Sequence, residues 1–409
     1  MPRFFLLLFT FTVLCVLPAA GQSVPDPHFY DYDSHAPVQA TETPYGKGDG
    51  YTITRVTYTS PVQTPYPEDN TVTAYLFLPN ELGPHPAVVA LHEWLPATTK
   101  YISTICRSIA RHHVAALAIV QPFSLNRRPD PHVPQAEYVS SDVPQTLRSA
   151  RQAVLDVRRG LDYLSQRTDI DSNRLGITGI SLGGIVAGLA AGVDPRIHVL
   201  ATFIGGADIA DIYWDSYKTR GLHAALLRAG WTYSSLKEAM IPVESSHWIH
   251  GFDPKNALLI NGRYDIFVEP KQAKHLASAL GGAKIVWMNT GHDGPALSNG
   301  LAAELGASFL EERFFHPNAP FKAPDTLRTR TIKLGFLAGG QEGFSPVAAL
   351  QLFDFDRAAR YSLDGQATLR GLSLALSARI DLSSSVGLEF PLFRGQIKPR
   401  PYFSLNFTL

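Results

Sequence analysis

The chain has 409 residues, 45% of them hydrophobic, with 36 basic and 36 acidic side chains. That is ample apolar material for one large core or two. A formal net charge of zero removes the electrostatic case for nucleic acid or an anionic membrane surface as partner, so function has to be read from a site.

Residues 1–21 carry Arg3, then the apolar run FFLLLFTFTVLCVL from Phe4 to Leu17, then PAAG. Such a run is too short to cross a bilayer of about 30 Å as a helix, and its positive, apolar, small order is that of a secretory signal peptide. Export to the periplasm or the medium is therefore expected. Cys15 lies in this leader behind Leu14, which argues against lipoprotein processing. Cys106 is then the mature chain's one cysteine, so no intramolecular disulfide can form, and it reads as a buried helix residue.

Residues 22–50, rich in Pro, Asp and Gly, read as an irregular lead-in. YTITRVTYT (51–59) and VTAYLFLP (72–79) read as strands. PAVVALH (86–92) and HVAALAIVQ (113–121) are almost wholly apolar, as a parallel sheet covered on both faces requires. Between them ATTKYISTICRSIARHH reads as a helix, and VPQTLRSARQAVLDVRRGLDYLSQR as a longer one. In the longer helix Leu147, Ala150, Val154, Leu155, Val157, Leu161 and Leu164 form an apolar stripe, with Arg148, Arg151, Arg158 and Arg159 mainly off it as a solvated face.

Strands RLGITGI, IHVLATFIGG, NALLING and AKIVWMNTG then alternate with helices LGGIVAGLAAGV, QAKHLASALGG and GLAAELGASFLEERFF. This alternation specifies an α/β fold with a mostly parallel sheet, helices on both faces and right-handed crossovers over 51–315. Residues 207–256, with Trp214, Trp231 and Trp248, are too long for one crossover and read as a helical cap over the strands' carboxyl ends. Residues 316–329 look like a proline-rich linker. From 330 to 409 the pattern changes to alternating runs such as LSLALSARIDL and FSLNFTL, which specify a C-terminal antiparallel β module of about four to six strands. A soluble sandwich or a surface-anchoring module is the expected form. Membrane insertion would need an oligomer, because so few strands fall short of a lipid-facing barrel of about eight.

The stretch GITGISLGGIVAG, residues 176–188, joins a strand to a small-residue helix. In that context G-x-S-x-G is a nucleophile elbow: its glycines permit the sharp reversal that leaves Ser181 standing clear. A serine hydroxyl needs a base, and the base needs an orienting acid. Asp265 in NGRYDIFVEP and His292 in NTGHDG follow in that order, each just past a strand and on the rim that carries Ser181. Asp208, also after a strand, is the rival acid, and Asp293 could cap the helix that follows. The oxyanion needs two N–H donors. Leu182, after the nucleophile, offers one, and Trp94 in ALHEWLPAT the other, with His92 and Glu93 shaping that loop.

VVALHEWLP, LGITGISLGG, NGRYDIFVEP and TGH together resemble the α/β-hydrolase superfamily over about residues 50–315, and HEW is similar to its dienelactone hydrolase branch. The resemblance implies Ser181, Asp265 and His292 as the catalytic residues, Trp94 and Leu182 as oxyanion amides, and Glu93 as a supporting acid near the nucleophile. Dienelactone hydrolases proper carry cysteine where this chain has Ser181, and they lack the cap and the tail. The expected activity is hydrolysis of a small-molecule or carbohydrate carboxylic ester. An amidase or peptidase, or an inactive scaffold acting through its tail, are the alternatives. No metal and no organic cofactor is expected, because His92 and Glu93 are adjacent rather than on one helical face and no cysteine cluster exists. Cell-surface or outer-membrane association is expected, if at all, through the tail.

Overall fold

The computed structural model describes residues 24–129, 137–216, 219–292 and 295–327, and the strands that lie between 332 and 408. The leader expected at 1–21 lies outside the described residues, as does Asp293.

Ten strands form the main sheet: β1 (Thr41–Gly48), β2 (Tyr51–Thr59), β3 (Thr71–Pro79), β4 (His85–Leu91), β5 (Ala115–Ile119), β6 (Ile170–Ile180), β7 (Ile197–Phe203), β8 (Ala257–Gly262), β9 (Lys284–Met288) and β10 (Thr326–Leu327). Their order is β1-β2-β3-β5-β4-β6-β7-β8-β9-β10, antiparallel from β1 to β5 and parallel from β5 onward. Every residue of β4 and β5 is buried.

The reason is visible in β4, where side chains alternate between two cores. Ala87, Val89 and Leu91 pack into one cluster with Val154 and Leu161 of α2 (Val143–Ser165), Val186 of α3 (Leu182–Val193) and Leu276 of α7 (Pro270–Ala279). Val88 and Ala90 pack into the other with Ile105 and Cys106 of α1 (Lys100–Arg111) and Leu310 of α8 (Pro295–Phe315). Helices on both faces leave no wet side, so polar alternation would bury unpaired groups. Cys106 is fully buried, which pushes its thiol up.

Three sequence expectations change here. Thr41–Gly48 belongs to β1 and not to an irregular lead-in: almost wholly exposed, it is held by its ladder to β2, which leaves no hydrophobic period to read. Of the four arginines on α2, only Arg148 is exposed. Arg151 donates to the Phe29 carbonyl at 2.5 Å, Arg158 to Tyr30 at 2.6 Å and Arg159 to Ala36 at 2.7 Å, so this basic face anchors the N-terminal segment. The supposed linker is docked as well. Phe321 packs edge-on against Phe309, the Arg313 guanidinium binds the Pro317 and Ala319 carbonyls, and β10 extends the sheet beside β9.

The segment after β5 is fastened by a fully buried guanidinium, Arg127. It donates to Asp156 Oδ2 at 2.8 Å and to the carbonyls of Val120 and Asp69, with Asp69 Oδ1 at 3.2 Å. Burial pushes the Asp69 carboxyl up to about 6, against the pull of Arg127.

The C-terminal strands are β11 (Ile332–Ala338), β12 (Phe344–Asp354), β13 (Tyr361–Thr368), β14 (Gly371–Arg379), β15 (Ser384–Pro391), β16 (Arg400–Leu405) and the two-residue β17 (Phe407–Thr408). Each pairs antiparallel with the next from β11 to β16, and β11 pairs also with β16 and with β17. The module is therefore a closed six-stranded ring and not a sandwich. Closure comes from pairing between the two ends of the tail, which strand periodicity does not encode.

Candidate active site

Parallel pairing of β6 through β9 puts the carboxyl ends of these strands on one rim. Ser181 follows β6, Asp265 follows β8 and His292 follows β9. At Ser181 the backbone turns through φ 55° and ψ −117°, a conformation that L residues hold only when their surroundings impose it. A Cβ on Gly179 would stand 2.1 Å from the Gly183 carbonyl oxygen, and one on Gly183 would stand 2.3 Å from that of Leu91. The turn thus has room for nothing but glycine on either side of Ser181, and the start of α3 is pressed onto the end of β4.

The structure brings the three residues together. His292 Nε2 lies 2.8 Å from Ser181 Oγ, and His292 Nδ1 lies 2.7 Å from Asp265 Oδ2. Asp265 Oδ1 accepts the N–H groups of Phe267 and Val268 at 2.8 and 2.9 Å, which fixes the carboxylate's orientation. All three side chains are buried, and Phe267 packs edge-on against the His292 ring at 4.7 Å. With Asp265 accepting at Nδ1, the ring carries its proton there and offers Nε2 to the serine.

The rival acid is engaged elsewhere: Asp208 Oδ1 lies 2.8 Å from His275 Nδ1. His112 binds Glu304 and Glu311 of α8, each at 2.6 Å, and does not reach the site.

His92 is buried at the end of β4. Its Nε2 accepts the Gln121 N–H at 2.9 Å, so Nδ1 holds the proton and donates to the Glu93 carbonyl at 2.7 Å. Gln121 Nε2 returns a bond to the His92 carbonyl. Burial holds the imidazole down to about 4. In a trans peptide the N–H points opposite the C=O, so clamping the Glu93 carbonyl toward His92 turns the Trp94 N–H away from it. Glu93 itself is partly buried, which raises its carboxyl, and its Oε2 has no hydrogen-bond partner among the described residues. Trp94 and Leu182, but not Glu93, line the cavity at the serine.

That cavity is narrow, about 30 Å³, and nearly all apolar: Ser181, Trp94, Leu182, Ile185, Phe267 and Val268 meet Ile209, Ile212, Tyr213 and Thr219. The last four come from residues 207–256, whose helices α4 (Ile209–Asp215), α5 (Arg220–Arg228) and α6 (Tyr233–Ala239) make the expected cap. Trp214 stacks on His223 within it, and Trp248 packs on Tyr30 of the N-terminal segment. Among the described residues no group of three or more His, Cys, Asp or Glu is placed to hold a metal ion.

Sheet order, elbow and rim are those of the α/β-hydrolase fold. Residues 147–292 match the model of the prolyl oligopeptidase family. The fold is similar to that of an acetyl xylan esterase from a Paenibacillus species, at 18% identity and a TM-score of 0.50 over 63% of this chain and 85% of that one. It is similar also to acetyl xylan esterase 1 from a Thermoanaerobacterium species, at 13% identity and a TM-score of 0.50 over 69% of this chain and 90% of that one. No curated protein sequence matches the chain.

Proposed function

We propose that the chain is an exported serine hydrolase that cleaves carboxylic esters with a short acyl group, through an acyl-enzyme on Ser181. The observation that carries this reading is the buried hydrogen-bonded run from Asp265 through His292 to Ser181. His292 Nε2 takes the Ser181 proton as Oγ attacks the ester carbonyl, and Asp265 stabilises the imidazolium that forms. The tetrahedral oxyanion is held by the N–H groups of Leu182 and Trp94, the latter aimed by His92. Collapse expels the alcohol, which takes the proton from His292. A water molecule, deprotonated by the same nitrogen, then releases the acid and restores Ser181.

The cavity supports the short acyl group. Its narrow apolar lining around Ser181 suits a short acyl chain such as acetyl or propionyl. The alcohol, small or part of a carbohydrate, stays outside that cavity. Peptide-bond cleavage is the second reading, favoured by the match of residues 147–292 to the prolyl oligopeptidase family.

A fluorophosphonate probe separates the hydrolase from an inactive scaffold: wild type should label, and Ser181→Ala should not, with kcat lower by at least ~10³-fold. Equal labelling of both proteins would remove Ser181 as nucleophile. A series of p-nitrophenyl esters and matched anilides should give the highest kcat/KM with acetyl or propionyl esters, falling at least tenfold by octanoyl. Faster turnover of the anilides would favour the peptidase reading.

A further inference from the structure

The ring formed by β11 to β16 has its polarity reversed. Side chains that point into it include Asp364, Gln366, Ser373 and Ser377, each at most 5% exposed, together with Val347, Ala349 and Ala375. Ser377 Oγ donates to Asp364 Oδ2 at 2.6 Å inside. Side chains that point out include Leu372, Leu376 and Leu388, which are 54%, 44% and 44% exposed, with Pro346, Ala348 and Ala367 also exposed.

Register makes this systematic rather than accidental. Across β13, β14 and β15 the pairs Leu363–Leu376 and Leu376–Leu388 form one outward row of leucines. Across β12, β13 and β14 the pairs Ala349–Gln366 and Gln366–Ser373 form one inward row. A strand module meant for water on its outside would show the opposite parity, because burying leucine is favourable and burying an amide or carboxyl is not.

We propose that the outer face of this ring is covered by the hydrocarbon of a lipid bilayer. Three features of the module suit lipid in particular. The ladder closes on itself where β11 meets β16 and β17, so each described strand of the ring has a partner on both sides, which is the condition for β-structure in hydrocarbon. β14 has 9 residues and β12 has 11, so at ~3.3 Å per residue and a tilt of about 45° these two longest strands reach roughly 21–26 Å along the ring axis, near the ~25 Å apolar band of outer-membrane barrels, while β11, β13, β15 and β16, of 6 to 8 residues, reach roughly 14–19 Å of it. The described interior holds small side chains, Ala349, Ala375, Ser373 and Ser377, beside Asp364 and Gln366, which fits a ring as narrow as six strands, and Ser377 and Asp364 pair with one another inside it. A second copy of the chain would lack a free edge to pair with and would need a matching flat patch, where a convex row of leucines meets lipid on every side. Six strands in one chain thus replace the oligomer that strand counting demands. The inference is independent of the chemistry at Ser181.

The test is flotation of the purified full chain with vesicles of phosphatidylethanolamine and phosphatidylglycerol, followed by a carbonate wash. Wild type should float and resist the wash. The triple variant Leu372→Asp, Leu376→Asp, Leu388→Asp should float at least tenfold less, while Leu372→Ile, Leu376→Ile, Leu388→Ile floats as wild type does. A trypsin-resistant C-terminal fragment in detergent micelles reports whether each ring has folded, so that an unfolded variant is not read as a non-binding one. Wild-type protein that stays at the bottom of the gradient, Asp variants that fold and float undiminished, or lipid-independent oligomers seen by light scattering would each overturn the proposal.

Discussion

The two sheets of this protein read the same alternation with opposite signs. In the main sheet β4 and β5 are buried on both faces and contribute apolar side chains to two cores. In the ring the buried positions hold Asp364, Gln366, Ser373 and Ser377 while leucines face outward. The difference teaches that strand pattern reports how many faces are dry, but which face is dry depends on what the tertiary structure places there. Helices supply the dry surroundings in one case, and in the other nothing within the described chain does.

The sharpest way to break the comparison is at the buried charges. Arg127 sits between Asp69 and Asp156 in the α/β domain, and Arg127→Ala leaves two carboxylates buried without their cation. Such a loss costs about 3–5 kcal/mol, so urea denaturation monitored by tryptophan fluorescence should show that drop. In Asp364→Asn the ring keeps a hydrogen-bond partner for Ser377, and the cost should stay under ~1 kcal/mol. If Arg127→Ala were equally mild, the two interiors would not differ as described.

A pair of leucine truncations sharpens it next. Leu259, fully buried in β8, should lose about 2–5 kcal/mol as Leu259→Ala. Leu388, 44% exposed on the ring, should lose no more than ~0.5 kcal/mol as Leu388→Ala in aqueous buffer. Equal losses would erase the contrast between an apolar core and an apolar rim.

The smallest expected effect is one of pH. His92 is held down to about 4 by burial, below its ordinary value near 6.5, so the unfolded chain takes up a proton before the folded one. Stability from this group is complete above pH ~6.5 and is lost as pH falls toward 4, by at most about 3 kcal/mol. His92→Asn should flatten that part of the pH–stability curve. The ring, with no histidine in residues 330–409, should show no such dependence in this window.

Much of the fold is legible in the sequence because its signals are local. Continuous apolar runs mark β4, β5 and β8, helical stripes mark α2, and the glycines around Ser181 mark a turn that side chains would block. Chain order along a parallel sheet then puts Ser181, Asp265 and His292 on one rim, and Asp208 is set aside only by its contact with His275. Arg127 and Asp69 are illegible for the opposite reason. An arginine in a loop is ordinarily solvated, and the burial of this one follows from segments 58 and 29 residues away in sequence closing around it. The anchoring arginines of α2 look like any solvated face until the N-terminal segment is laid over them.

The sequence by itself determined the alternation of strand and helix, the elbow, and the order in which acid and histidine follow the serine, since each depends on neighbours within a few residues or on chain direction. Only the tertiary structure decided which charges are buried, what holds the Glu93 carbonyl beside His92, how narrow the cavity under the cap is, and that the tail closes into a ring. Those depend on distant segments meeting, and periodicity carries no record of the partner that a face will find.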